Sequence, residues 1–168
     1  LAEFFLLSLS FGVGLFTFLA NPKDTGGGFH RLVASLCMAA VAICLAIHLS
    51  YEQFSSETSI VLTLAMMAFA GIYFFQKDKK TRGMRFLYIT HNACLVIAMF
   101  NFHHHNWSSF LFALSSSLLL GSVTYAMVMG HWYLVTPKLS EKPLKYAIYF
   151  TWMFLIVKMV WTIFSYTK

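Results

Sequence analysis

Short polar tracts cut the chain into six apolar runs, each close to the length a helix needs to cross a bilayer, and this spacing leaves few folds open. A spanning helix takes roughly 20 predominantly apolar residues. The runs cover residues 4–20, 32–50, 59–76, 86–102, 107–135 and 144–166. The fourth is short, and the fifth is long enough to tilt strongly or to project beyond the hydrocarbon. Charged residues make up 11% of the 168, against about 25% in an ordinary soluble domain, too few to cover the apolar faces of a soluble fold. In lipid each segment must satisfy its own backbone hydrogen bonds, so these runs fold as helices. The predicted fold is all-α, a polytopic transmembrane bundle of about six spans forming a single domain over residues 1–168.

The connections alternate in charge, which supports the count of six independently of hydropathy. The first carries Lys23 and Arg31 against Asp24. The third holds Lys77, Lys79, Lys80, Arg82 and Arg85, and the fifth holds Lys138, Lys142 and Lys145 against Glu141. The second has Glu52 and Glu57 without a base, and the fourth is His103, His104, His105 and Asn106. Basic connections stay in the cytoplasm, so both termini are expected on the non-cytoplasmic side. The same pattern explains the net charge of +6 without nucleic acid as a partner. Asn21-Pro22, Gly26-Gly27-Gly28, Pro137 and Pro143 fall where helices should stop and restart. The first run lacks a basic leader segment and a clear cleavage pattern, and is expected to be a retained helix. Cys37, Cys44 and Cys94 lie inside apolar runs and read as small packing residues.

Enzyme chemistry is poorly supplied. Of six acidic residues, Glu3 alone lies near the hydrocarbon, and no phosphate loop, nucleophile elbow or zinc-protease helix is present. The seven histidines are the unusual feature, since ionisable groups inside spans usually mark a functional site. His91 and His131 are expected at similar depth near the cytoplasmic face, His48 and His103 near the opposite face, and His30 at the inner edge. His91 shares a helical face with Cys94 and Ala98; His131 is a whole number of turns from Ala113. Such small-residue faces pack against other helices. The expectation is therefore that His91 and His131 point into protein, facing one another or a shared ligand. Two imidazoles so placed could hold a haem b iron or bond a quinone carbonyl. The alternative is simple hydrogen bonding between helices. Met127, Met129 and His131 form a second, copper-like donor set.

Lys158 lies well inside the sixth run, where it is expected either to pair with Glu3 or to snorkel toward headgroups. Trp107, Trp132, Tyr133, Tyr146 and Tyr166 sit near span ends as interfacial anchors. Gly12 with Gly14, and the stripe Ala113, Ser117, Gly121, are close-approach surfaces for helices of this chain or of another subunit.

At Gly130-His131-Trp132-Tyr133-Leu134, followed by Thr136-Pro137, the sequence resembles a group of uncharacterised bacterial polytopic membrane proteins. The resemblance covers the end of the fifth run and the loop after it. It implies a bacterial cytoplasmic membrane and no particular activity. Together these features point to a membrane subunit of a larger assembly, respiratory or electron-transferring, with other subunits or further copies of itself as partners. A transporter or channel component using Lys158 and the histidines is the second reading, and a lipid-modifying enzyme the third.

Overall fold

The computed structural model describes residues 2–51, 56–76, 82–103, 106–136 and 140–166. Glu52, Lys77, Lys79, Lys80, His104, His105, Pro137 and Lys138 lie outside the described residues. Six helices are long and apolar enough to cross a membrane. They are α1 (Ala2–Leu19), α3 (Gly27–Tyr51), α4 (Glu57–Phe75), α5 (Arg82–Phe102), α6 (Trp107–Val135) and α7 (Lys142–Tyr166), with the single turn α2 (Pro22–Thr25) between the first two. Each predicted run corresponds to one spanning helix.

Where the boundaries differ by more than two residues, the helices are longer than the apolar runs. α3 begins at Gly27 and takes in His30 and Arg31; α5 begins at Arg82. Hydropathy marks where lipid begins, whereas a helix continues into the headgroups for as long as its backbone bonds are made. Capping sets the other ends. Ser56 accepts from the Ser59 amide ahead of α4, and Asn106 Oδ1 accepts from the Ser108 and Ser109 amides ahead of α6. Gly26, at φ +78°, supplies the left-handed residue that ends α2.

α1, α3, α4 and α5 form a four-helix square in which α1 and α4 each pack on both α3 and α5. α6 lies against the opposite side of α1, and α7 is outermost, packed mainly on α6. One apolar cluster runs through the square, including Leu7, Phe11, Val41, Leu62, Phe69, Leu95 and Met99. The α1–α6 contact is the tightest. A Cβ on Gly12 would lie 2.4 Å from Ser117 O and 2.5 Å from Gly121 Cα. Gly12 and the Ser117, Gly121 part of the α6 stripe are therefore spent on each other, inside the chain, while Gly14 turns toward His91 of α5. α6, with 29 residues, is about 44 Å long and outruns the roughly 30 Å hydrocarbon core.

The described ends of the helices that the connections of alternating charge join separate in space as well. Asn21 to Arg31, Gln76, the start of α5, the end of α6 and the start of α7 gather at one end of the bundle, called the basic end below. Glu3, His48, Ser56 and His103 lie at the other.

Candidate functional site

The basic end holds a buried chain of hydrogen bonds that joins five helices. The Trp132 indole N–H of α6 donates to Thr25 O of α2 at 3.0 Å. The Thr25 hydroxyl meets His30 Nε2 at 3.0 Å, and His30 Nδ1 meets the Tyr88 oxygen of α5 at 2.7 Å. Tyr88 donates to Gln76 Oε1 at 3.2 Å, where α4 ends. The Arg31 guanidinium closes the group, donating from Nε and Nη2 to Gln76 O at 3.0 and 2.8 Å. His30, Tyr88 and Gln76 are almost wholly buried.

Proton positions follow from the donors. Because the Tyr88 hydroxyl donates to Gln76, His30 Nδ1 carries a proton and donates to the Tyr88 oxygen. His30 Nε2 then has two options at Thr25. A neutral imidazole accepts the Thr25 proton; an imidazolium donates to the Thr25 oxygen, whose own proton turns to Asn21 O at 3.1 Å. One threonine hydroxyl thus accommodates either state of the ring.

His91 sits beside this chain. Its Nδ1 donates to Leu87 O at 3.2 Å, and its ring lies 4.2 Å from Phe69, tilted by 33°. Its Nε2 is buried without a hydrogen-bond partner among the described residues. Gly14 makes room for it: a Cβ there would stand 2.7 Å from Nε2. The seam lined by Gly14, Thr17, His30, Phe69, Tyr88 and His91 is too narrow for a water molecule. A haem or quinone ring does not fit it.

The expected meeting of His91 and His131 does not occur. His91 is buried as its small-residue face predicted, against α1 and α4, but His131 is exposed on α6. The reason lies in how the buried face winds around α6. Its buried positions step by four residues, Ala113, Ser117, Gly121, Tyr125 and Met129, and each such step turns the face further from the whole-turn register that relates His131 to Ala113. Two residues past Met129, His131 points to the other side of the helix. Met127 is exposed and Met129 fully buried, so the copper-like set is not brought together either. Among the described residues no three His, Cys, Asp or Glu side chains form a group that could hold a metal ion.

At the opposite end, His48 Nε2 meets Ser56 Oγ at 3.3 Å and its ring stands edge-on to Phe102. The His103 ring stands edge-on to Phe4. The three cysteines are free and buried. Cys44 points its thiol at Glu3 O, at 3.8 Å.

Lys158 forms no ion pair with Glu3 among the described residues. Its Nζ donates to Phe112 O, Ser115 Oγ and Ser116 Oγ of α6 at 3.0, 3.1 and 2.7 Å, and lies 3.3 Å from the centre of the Phe112 ring. Thr25, Gln76 and Tyr88 were not legible as site residues. Each is a single polar group at or near the end of an apolar run, and nothing in one helix's spacing signals a partner on another. Of the Ser115-Ser116-Ser117 run only Ser117 was read from the sequence, as part of a small-residue stripe; Ser115 and Ser116, the lysine's acceptors, were not.

The chain thus has the fold of a multi-pass helical membrane protein with a polar group buried at one end and a lone ammonium on its outer helix pair. Comparison with protein families, curated proteins and solved structures finds no match.

Proposed function

We propose that this chain is a non-catalytic subunit of a larger membrane assembly, and that it meets its neighbour along α6 and α7 at the level of Lys158. The observation that carries this reading is the state of the ammonium. A lysine at the centre of a span costs about 2.5–3.5 kcal/mol on insertion scales. The three oxygens that hold Lys158 are all neutral, and among the described residues no carboxylate forms an ion pair with it. The surroundings are open, with Phe112 exposed and Ser115 and Ser116 half-buried. A carboxylate on a helix of the neighbouring subunit would complete the charge, as intramembrane ionisable groups are usually completed. A haem b or quinone held by the inner histidines has no place in this reading, because the seam at His91 is closed and His131 faces outward.

In a mild detergent the wild-type chain should migrate on a native gel well above its own 19.2 kDa. Lys158→Met keeps most of the stem and removes the charge, and should release the single chain, while Lys158→Arg should stay assembled. Copies carrying two different tags will co-purify if the neighbour is a second copy. Wild-type migration at single-chain mass would overturn the reading.

By the positive-inside pattern, the basic end lies in the cytoplasm and both termini on the other side. Cysteines introduced as Ser56→Cys and Gly83→Cys should react with an impermeant reagent from opposite faces of intact cells. The three native thiols are buried and should stay silent. Reaction of both sites from one face would refute the orientation.

A further inference from the structure

A cavity of about 380 Å³ opens at the basic end, away from the histidines, between α7, α1 and α6. This lies within the range of ligand pockets, roughly 300–1,000 Å³. Its walls are aromatic, from Phe16, Tyr125, Tyr146 and Phe150, and its mouth carries Asp24 and Lys142. The Phe16 and Phe150 rings meet at 5.6 Å, so the aromatic wall spans two helices.

Polarity changes with depth in the way an interfacial lipid does. Lys142 is the first residue of α7 and Asp24 lies beyond the end of α1, so both charges stand at headgroup level. Phe150 is eight residues further into α7, about 12 Å deeper, where acyl chains begin. The two charges come from different helices and form no ion pair with each other among the described residues, whereas Lys145 at the same end is taken up by Glu141 at 3.0 Å. A site offering one separated carboxylate and one ammonium complements a ligand bearing both opposite charges. An uncharged quinone would leave both of them unanswered.

We infer that this cavity binds a single phospholipid with a zwitterionic, primary-amine headgroup. The phosphate lies at Lys142, the ammonium at Asp24, and the glycerol and upper acyl chain against Tyr146, Phe16 and Phe150. This goes beyond the subunit reading and is independent of Lys158.

The test uses the full chain, delipidated in detergent and equilibrated with vesicles of equimolar phosphatidylethanolamine and phosphatidylglycerol, with bound lipid counted by native mass spectrometry. One phosphatidylethanolamine should be retained per chain, at least tenfold above phosphatidylglycerol. Asp24→Asn should erase that preference while still binding lipid, and Lys142→Gln should lower retention of both lipids at least fivefold. Lys145→Gln, outside the cavity, should change neither. Helical content and thermal midpoint before lipid addition report whether each variant folds. No retained lipid in the wild type, a preference for phosphatidylglycerol, or equal effects of Lys142→Gln and Lys145→Gln would overturn the proposal.

Discussion

α1 and α7 are both apolar helices of spanning length, yet half of α1's span is buried in the bundle against 6% of α7's. The difference is not one of hydropathy but of side-chain size along the contact. α1 presents Gly12 and Gly14, which let a backbone and an imidazole approach closely. α7 has no glycine and presents Trp152, Met153, Ile156, Met159, Val160 and Ile163 outward. Lipid tails are as apolar as leucine, so burial in a membrane is won by close packing and polar contacts rather than by greasiness. α1 has both kinds of surface; α7 is held by Lys158 on α6, by the rings of Phe150 and Phe154 on Phe16, and by modest packing.

Four substitutions would break or sharpen this contrast. The largest effect is expected at Gly12→Ala, because the new methyl meets Ser117 O and Gly121 Cα, backbone atoms that cannot rotate away. Overpacking costs about 1–3 kcal/mol and occasionally more, and this position should lie at the top of that range in reversible unfolding from detergent. A cost below about 1 kcal/mol would show that α1 and α6 are not locked together.

Next is Tyr88→Phe, which removes one oxygen and leaves both His30 Nδ1 and Gln76 Oε1 without it. Taking a hydrogen-bond partner from a buried polar group costs roughly 1–3 kcal/mol. Thermal unfolding should show a loss of that order, and combining the change with His30→Leu should cost less than the sum of the two singles. Strict additivity would argue that the hydrogen-bonded chain is not a unit.

Gly14→Ala should cost less than Gly12→Ala, since its methyl meets the far end of a side chain, His91 Nε2, instead of backbone. The ring can tilt off Phe69, so a loss near 1 kcal/mol is expected from the same overpacking scale. Replacing His91 by Ala in the Gly14→Ala background should recover part of it. A Gly14→Ala penalty unchanged by removal of the imidazole would show that the clash lies elsewhere.

The smallest effect on the isolated chain is expected from Lys158→Met. Its three hydrogen bonds are set against the cost of holding an ammonium in lipid, so the net change should fall within about 1 kcal/mol. A loss above about 2 kcal/mol would make Lys158 a structural rivet of α7 and remove the reason for assigning it to an interface.

Much of this architecture was written along the chain. Six apolar runs, alternating basic and base-free connections, and Pro22, Gly26 and Pro143 at helix ends define the helices, because each is a property of one segment against lipid or water. His91 was also legible as an inward-facing residue, from its spacing to Cys94 and Ala98. Which surfaces meet was decided in three dimensions. Gly12 chose Gly121, Lys158 chose Ser115 and Ser116, and His30 chose Tyr88 and, through it, Gln76. His131 fell outside the contact because the buried face of α6, stepping from Gly121 to Tyr125 to Met129, winds away from it. Hydropathy sorts residues between solvents, but within one solvent it does not rank one helix face above another. That ranking comes from relative height, local shape and matched donors and acceptors, which exist only once the helices stand side by side.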